Sequence, residues 1–151
     1  MFDKKKSVIN LEDLLKLKKP ERKRYYAAII RIDKGDYFSD AFHDTVNKCF
    51  TLIQKYEGDV NQFLGGIILA LWGATFCFDA DKERSIAFFN EIKDSNLPVS
   101  TILLDDEGAY GTFGNDKRLN VTVVSENIFN AIKELTNSDE KIFINKVVAE
   151  E

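Results

Sequence analysis

The sequence predicts an α+β domain with a mostly antiparallel sheet, built on a ferredoxin-like β-α-β-β-α-β core with the helices on one face. Two apolar runs flank a Gly-Gly pair at Gly65 and Gly66. Other segments repeat apolar residues with the helical period, and short β-branched or aromatic runs lie between them. The resulting order, β-α-β-β-α-β-β-α-β, contains the split β-α-β arrangement of ferredoxin-like folds.

Length and composition fit a single globular domain. A chain of 151 residues buries roughly two thirds of its unfolded surface on folding. Its hydrophobic content of 44% includes twelve Phe, five Tyr and one Trp. This composition excludes an intrinsically disordered chain.

Charge is divided unevenly along the chain. Residues 1–24 hold nine Lys or Arg against four Asp or Glu, whereas the remainder holds twelve against twenty-one. We therefore separate a basic leader, residues 1–24, from an acidic domain, residues 25–151. The clusters Lys4–Lys6 and Arg22–Arg24 are candidates to contact nucleic acid or anionic lipid. A solvated leader is the simpler interpretation, and we expect no nucleic-acid site.

The cysteines and the hydropathy pattern point to an intracellular protein. Cys49 and Cys77 are the only cysteines, and both lie in apolar periodic segments. No stretch resembles a secretory signal or approaches the ~18 apolar residues of a membrane span. We expect a cytoplasmic protein with two reduced, buried thiols and no membrane span.

The first predicted element is a short amphipathic helix in the leader, Asn10–Lys19. Ser7 or Asn10 can cap it, and Pro20 ends it. Such a short helix is marginal alone, so its apolar stripe is expected to pack on the domain or on a partner. The apolar positions are Ile9, Leu11, Leu14 and Leu15.

A strand and a long helix come next. Tyr25–Ile32 is rich in β-branched and aromatic residues, which favours a strand, and Asp33–Asp36 breaks it. Asp40–Tyr56 repeats apolar residues with the helical period, and either Ser39 or Asp40 can cap its N-terminus. The apolar stripe consists of Phe42, Val46, Cys49, Phe50 and Ile53.

The least ambiguous element is a β-hairpin within Asp59–Cys77. The run before Gly65 alternates, which suits a strand with two unlike faces, whereas Ile67–Trp72 is almost continuously apolar, as in a strand covered on both sides. Gly65 and Gly66 supply the positive φ angles of a tight turn. We place this hairpin at the middle of the sheet.

The second half of the chain repeats the same alternation of helix and strands. Its apolar periods and turn signals predict three strands after the next helix, then a last helix and a last strand. In order, these elements are a helix over Asp79–Asp94, strands at Val99–Leu104 and Ala109–Phe113 joined by a turn at Asp105–Gly108, a strand at Val121–Val124, a helix beginning at Ser125 and a strand at Lys141–Val148.

Three segments together resemble the class III nucleotidyl cyclase domain of adenylate and guanylate cyclases. QFLGGIILALWG, which starts at Gln62, is similar to the family pattern KFIGDAILALFG. GAYGTFGNDKRLNVTVV resembles its Gly-rich hairpin and Thr-Val-Ile strand, and SENIFNAIKEL resembles its GDxVNxAxRL helix start. The likeness covers about Tyr25–Glu150. The family continues with a further hairpin, so the resemblance implies a domain that lacks its C-terminal hairpin or a fragment of a longer chain.

In that family, an aspartate at the end of the first strand and one at the hairpin tip hold two divalent metals for attack on the α-phosphorus. On the quoted motifs, these positions fall on Arg31 and Gly66. Neither residue type binds a metal, and Arg31 would repel one. Asp33 is a slipped alternative to the first ligand, or simply a turn residue at the strand end.

The family's other half-site is an Asn that orients the ribose and an Arg that stabilises the transition state. These positions correspond to Phe129 and Lys133, and Lys lacks the guanidinium fork. The two base-reading positions correspond to Gln62 and Thr122. The resemblance therefore implies a degenerate site with no metal and no cofactor.

Three functions follow from this resemblance. The first is a catalytically inactive cyclase-like domain that forms a homodimer, or a heterodimer with another cyclase-like domain. The second is a nucleotide-binding sensor without turnover, and the third is an active cyclase with a non-standard site. Phosphate contacts in the sensor would come from Arg31, Lys133, Lys117 and Arg118, and base contacts from Gln62 and Thr122. Apolar dimer anchors would be Phe129, Trp72, Phe113 and Tyr110.

Other chemistry-bearing residues have plain structural interpretations. His43 has no second His to share a metal, so a surface role is expected. The glycines Gly108, Gly111 and Gly114 lie within a predicted hairpin and open no helix, which argues against a dinucleotide site. The carboxylates of Asp105–Glu107 are expected to be solvated charge at a turn.

Overall fold

The computed structural model of the protein describes residues 20–115 and 117–147. Their elements follow the order predicted from the sequence, except that the two strands predicted at Val99–Leu104 and Ala109–Phe113 form one strand. The predicted leader helix, Asn10–Lys19, lies outside the described residues. None of the described helices is long and apolar enough to cross a lipid bilayer. The elements are β1 (Glu21–Ile32), α1 (Asp40–Lys55), β2 (Asp59–Leu64), β3 (Ile67–Trp72), α2 (Asp81–Asp94), β4 (Val99–Asn115), β5 (Arg118–Val124), α3 (Glu126–Thr136) and β6 (Phe143–Asn145).

One sheet contains all of these strands. Its order is β2-β3-β1-β4-β5, and every pair along that path is antiparallel. The first part of β4 also pairs in parallel with β6, at Thr101–Leu103. The predicted fold class, an α+β domain with a mostly antiparallel sheet, is confirmed.

The helices lie on both faces of the sheet, so the prediction of helices on one face only was wrong. α1 and α2 cover the face that carries Ala28 and Ile30, whereas α3 covers the face that carries Ala27 and Ile29. All four side chains are fully buried. A strand whose successive residues are all apolar must be covered on both sides, and this requires a helix on each face.

The hairpin has its predicted strands and turn but a different place in the sheet. Gly65 and Gly66 have φ angles of +62° and +80°, as a primed turn requires. β3 is buried on both faces, as expected, but β2 is an edge strand. The hairpin therefore lies at the sheet edge and not at its middle, because β2 has only half-buried or exposed residues and needs no second neighbour.

The turn predicted at Asp105–Gly108 was wrong, because β4 runs through it without interruption. Glu107 accepts a hydrogen bond from Arg22 at 2.8 Å, and Asp105 accepts one from Arg24 at 3.2 Å. The turn was predicted because the segment is rich in carboxylates, but these cross-strand ion pairs neutralise them and allow the strand to continue. For the same reason β1 begins at Glu21, four residues before the predicted start at Tyr25.

Candidate functional site

The end of β1 and the tip of the β2–β3 hairpin lie side by side. The backbone N–H of Ile32 donates to the carbonyl of Gly66 at 2.9 Å, and Arg31 is opposite Ile67 in the β1–β3 register. The two positions that the cyclase resemblance equates with metal-binding aspartates are therefore adjacent, as the motifs predict.

Arg31 is held at this point by four acceptors. Its Nη1 donates to the carbonyls of Leu135 and Ser138, the latter at 2.6 Å. Its Nη2 donates to Ser100 Oγ at 3.1 Å and to Asp33 Oδ1 at 3.3 Å. The side chain is only 11% exposed. Because the C-terminus of a helix carries partial negative charge, the guanidinium is well placed against the last turn of α3.

The second metal position offers no ligand. Gly66 has no side chain, and a Cβ built on it would meet no described atom within 4 Å. The carboxylate of Asp33 is paired with Arg31, and its backbone N–H donates to the carbonyl of Pro98 at 2.8 Å. Asp33 thus has the contacts of a strand-end residue. Among the described residues, no group of three or more His, Cys, Asp or Glu side chains is arranged to hold a metal.

The cavity beside Arg31 is small. It has a volume of about 220 Å³ and is lined by Arg31, Asp33, Lys34, Ser138 and Asp139. Small-molecule sites usually occupy roughly 300–1,000 Å³. This cavity is below that range, and two of the charged residues that line it, Arg31 and Asp33, already pair with each other at 3.3 Å.

Phe129 and Lys133 lie on the outer side of α3, one helical turn apart. Phe129 is 59% exposed. The ammonium Nζ of Lys133 lies 5.5 Å from the centroid of the Phe129 ring, within the range of a cation–π contact. The two residues therefore contact each other, and together they present an apolar surface with a cationic edge.

The structure bonds Thr122 to Asn61, the residue before Gln62, which is the other predicted base-reading position. Thr122 Oγ1 donates to Asn61 Oδ1 at 2.7 Å, and Asn61 Nδ2 donates to the carbonyl of Val121 at 3.2 Å. Asn61 is the extra residue of a β-bulge, since the β2–β3 register shifts between Val60 and Gln62. A bulge re-aims side chains by one position, and the sequence pattern around Gln62 did not reveal it.

A second polar link lies beside this one. Thr75 Oγ1 donates to Asp59 Oδ2 at 3.2 Å and is also hydrogen-bonded to the hydroxyl of Tyr110. Burial raises the pKa of Asp59, although hydrogen bonds from Thr75 and Asn61 oppose this shift. Burial likewise raises the pKa of Tyr110. Polar side chains of β2 are thus already bonded to β5 and to the loop after β3, and Thr75 of that loop is in turn bonded to β4.

Lys117 directly precedes β5, and Arg118 is the first residue of that strand. The backbone N–H groups of both donate to Asn115 Oδ1, at 3.0 and 3.2 Å. Along β4, Asn115 pairs with Arg118 and Ser100 pairs with Arg31. These β4 positions are fifteen residues apart at roughly 3.3 Å per residue. Arg31 and Arg118 therefore lie at opposite ends of the sheet and cannot share one phosphate chain.

One heavily hydrogen-bonded carboxylate lies in the run that the sequence predicted to be solvated charge. Asp106 is 2% exposed and accepts from Tyr25 at 2.7 Å, Ser125 at 2.6 Å and Asn127 at 2.8 Å. Burial alone would raise the pKa of Asp106, but hydrogen bonds from Ser125, Asn127 and Tyr25 outweigh it and lower the pKa. The expectation of solvated charge at this position was wrong. Asp105 and Glu107, on either side of Asp106, point to the opposite face of β4, where they pair with arginines. The alternation of a strand through this segment would have placed Asp106 on the buried face.

Several expected surface and core residues can be placed directly. Cys49 is fully buried, as predicted, and burial raises the pKa of its thiol to about 12. Cys77 is only partly buried, which corrects the prediction of two buried thiols. Trp72 and Tyr110 are 1% and 2% exposed, so they cannot serve as the predicted dimer anchors. His43 is an exposed residue of α1, as expected.

Comparison with known proteins supports the fold. No protein-family model matches the chain, and no curated protein matches it. Solved structures do match. The adenylyl cyclase CyaB from P. aeruginosa is 18% identical with a TM-score of 0.59, over 81% of this chain and 76% of that one. A bacterial light-regulated adenylyl cyclase is 14% identical with a TM-score of 0.62, over 81% and 42%.

A third match comes from a fungal enzyme. The dimeric guanylyl cyclase domain of the RhoGC fusion protein from Blastocladiella emersonii is 14% identical with a TM-score of 0.54, over 78% of this chain and 76% of that one. Identities at this level show a shared fold. The chain therefore has the fold of adenylyl and guanylyl cyclase domains.

Proposed function

We propose that the protein is a catalytically inactive cyclase-like domain that acts by associating with a second copy or with another cyclase-like chain. One observation supports this most strongly. The buried guanidinium of Arg31 is bonded to Leu135, Ser138 and Ser100 at the position where the resemblance places a metal ligand. A side chain held in this way is part of the scaffold and cannot swing aside for a cation.

Electrostatics make a two-metal site at this position unfavourable. At 4 Å and an effective dielectric constant near 20, each pair of like unit charges costs about 4 kcal/mol. Mg²⁺ also needs several oxygen ligands. Gly66 supplies none from a side chain, and the Asp33 carboxylate is already paired with Arg31.

The other half-site supports the same proposal. The position of the ribose-orienting Asn is Phe129, whose ring is 59% exposed and offers no hydrogen bond to a hydroxyl. The position of the transition-state Arg is Lys133, whose ammonium lies over that ring. A partner chain with only one intact half-site would therefore gain nothing catalytic from this chain.

The exposed apolar residues indicate where association would occur. Leu64 is 81% exposed and pairs in the sheet with Ile67, which packs against the core that α3 covers. Phe129 is exposed on α3 itself. Both residues are thus on the face of the sheet that α3 covers, and large exposed apolar side chains suit the centre of an interface. The guanylyl cyclase domain of RhoGC, which shares this fold, has been solved both as a non-canonical dimer and as a monomer.

Sedimentation velocity tests this association. We expect the wild-type chain to form a dimer at micromolar concentrations and the Phe129→Glu and Leu64→Glu variants to dissociate, because each buries a charge in an apolar contact. Phe38→Glu is the matched control, since Phe38 is 94% exposed in the loop between β1 and α1. A wild-type chain that stays monomeric, alone and with candidate cyclase chains, would refute association.

The sensor hypothesis has weaker support. It needs Arg31, Lys117 and Arg118 to converge on one phosphate chain, but β4 holds Arg31 and Arg118 at opposite ends of the sheet. It also needs Thr122 to be available to a base, whereas Thr122 is bonded to Asn61. Calorimetry with ATP, GTP and the cyclic nucleotides at millimolar concentration is expected to give no heat of binding. A saturable heat would favour the sensor.

A further inference from the structure

A groove lies between α1 and α2, on the face of the sheet opposite α3. Its volume is about 440 Å³, and residues of both helices line it. Small-molecule sites usually occupy roughly 300–1,000 Å³, a range that this groove reaches and the cavity beside Arg31 does not. Because α1 and α2 pack on one core and α3 packs on the other, the sheet separates the groove from the candidate cyclase site.

The groove opens where α2 ends. Lys55 in the last turn of α1 contacts Glu91 near the end of α2, with 2.7 Å between the ammonium and the carboxylate. α2 ends at Asp94, and the chain turns at Asn96, whose φ angle is +61°, to enter β4. The middle of α1 is therefore flanked by the loop after α2 and not by a helix.

Two leucines give the groove an apolar floor. Leu52 of α1 is only 8% exposed and belongs to the core beneath α1 and α2. Leu97, in the loop after α2, is half-buried and packs against the same core. Lys48 lies one helical turn before Leu52, so a cation and an apolar surface are neighbours on one side of α1.

One end of the groove is electrostatically neutral. Glu91 accepts hydrogen bonds from the ammonium of Lys55 at 2.7 Å and from the hydroxyl of Tyr56 at 2.6 Å. The bonds from Lys55 and Tyr56 lower the pKa of Glu91, so the carboxylate is ionised at neutral pH. Lys55 and Glu91 therefore compensate each other's charge.

The other end carries an uncompensated cation. Lys48 is exposed, and among the described residues no carboxylate forms an ion pair with it, including that of Asp44 one turn earlier. Asn47 and Thr51 line the groove beside Lys48, and both side chains can donate hydrogen bonds. This end of the groove is complementary to an anion.

The backbone acceptors near the groove are already bonded. The carbonyl of Ile92 accepts from the hydroxyl of Ser95 at 2.6 Å, and the carbonyl of Leu97 accepts from the ammonium of Lys141 at 2.9 Å. These bonds satisfy carbonyls at the negative end of the α2 dipole. Repulsion of an anion beside Lys48 is reduced accordingly.

We propose that this groove binds a small organic monocarboxylate with an apolar body. The carboxylate contacts the ammonium of Lys48 and the hydroxyl of Thr51, and the apolar body covers Leu52 and Leu97. A neutral ligand would leave Lys48 without a counter-charge, whereas a second carboxylate on the ligand would approach the ionised Glu91. The site is independent of the association surface around Phe129.

Amide chemical shifts of the full chain, measured by NMR, test the proposal. Octanoate and phenylacetate at millimolar concentration should give saturable shifts in residues 47–55 and 91–97. Octanol and octylamine should bind at least about tenfold more weakly than octanoate, because octanol loses the charge-assisted bond and octylamine carries the same charge as Lys48. Unchanged shifts in β3 report that the core stays folded.

Two pairs of variants locate the site. Thr51→Trp fills the groove and should abolish the shifts, whereas Gln54→Trp, on an exposed position of α1 outside the lining, should not. Lys48→Gln should weaken octanoate binding about tenfold and leave octanol binding unchanged. Lys93→Gln, at an exposed position of α2 outside the lining, is its control.

Three results would overturn the proposal. They are the absence of saturable shifts with both carboxylates, shifts confined to α3, and octanoate binding that is equal in wild type, Lys48→Gln and Thr51→Trp. These measurements involve neither turnover nor association, so they test the groove separately from the proposed function.

Discussion

The guanidinium of Arg31 connects three elements through one side chain. It lies on β1 and bonds to Ser100 on β4 and to the backbone carbonyls at and after the end of α3. The Leu135 carbonyl also accepts a weak bond from the backbone N–H of Ser138 at 3.4 Å, and the charged guanidinium adds a stronger bond to the same carbonyl. At the position that the resemblance equates with a metal ligand, Arg31 thus forms a structural clamp.

Arg31→Ala is therefore expected to lower the free energy of unfolding by about 2–3 kcal/mol, because charge-assisted hydrogen bonds to partly buried acceptors are lost. Urea unfolding at neutral pH measures the change. Lys34→Ala removes a nearby exposed cation and should change stability by less than about 0.5 kcal/mol. Equal effects of the two substitutions would show that Arg31 is not a clamp.

Asp106 gives a pH-dependent prediction. Its folded-state pKa is lower than its ordinary value, so its stabilising contribution is complete above the unfolded pKa of about 3.9 and is lost as the pH falls through the folded pKa. Asp106→Asn should cost about 2–3 kcal/mol at neutral pH. The difference from wild type should shrink as the pH falls below about 4.

Urea unfolding at neutral and acidic pH measures both effects. Asp105→Asn is the matched control, because Asp105 lies in an exposed ion pair with Arg24 at 3.2 Å and such pairs contribute about 0–1 kcal/mol. A pH-independent cost of Asp106→Asn would contradict the assigned network.

At the scale of elements, the sequence predicted those features that depend on only a few neighbouring residues. The Gly65–Gly66 turn and the helix starts at Ser39 and Ser125 all follow from spacing within a few residues, and the structure contains each of them. The long β4 was not predictable in this way. Its Asp105–Gly108 segment has turn composition, and it is extended only because β1 supplies arginines from more than eighty residues away.

Two substitutions in β2 test whether the bulged residue Asn61, and not Gln62, links β2 to β5. Asn61→Ala removes the bonds to Val121 and Thr122 and should lower the free energy of unfolding by about 1–2 kcal/mol. Gln62→Ala, at the position that the sequence favoured, should cost less than about 0.5 kcal/mol. Chemical denaturation of both variants measures the difference, and a larger effect at Gln62 would contradict the link between β2 and β5.

At the scale of the whole molecule, the fold could be predicted from the sequence, but the contacts of the candidate site could not. The order of elements and the apolar faces predicted an α+β sheet domain, and the resemblance of three motifs to cyclase domains predicted the cyclase-type fold. Solved cyclases match that fold at identities of 18% and below. The contacts of the candidate site could not be predicted from these patterns. Which side chain reaches Thr122, and what Arg31 bonds to, depend on a one-residue bulge and on the end of α3, and neither leaves a periodic signal in the sequence.

Turnover of nucleoside triphosphates tests the central proposal most directly. The purified full chain, alone or mixed with candidate cyclase chains, is incubated with ATP or GTP and either Mg²⁺ or Mn²⁺, and cyclic nucleotide is measured by mass spectrometry. We predict that the chain alone forms none above the protein-free blank, and that mixtures form no more than the partner forms by itself. Cyclic nucleotide made by the chain alone, and lost in Arg31→Ala or Lys133→Ala, would contradict the account.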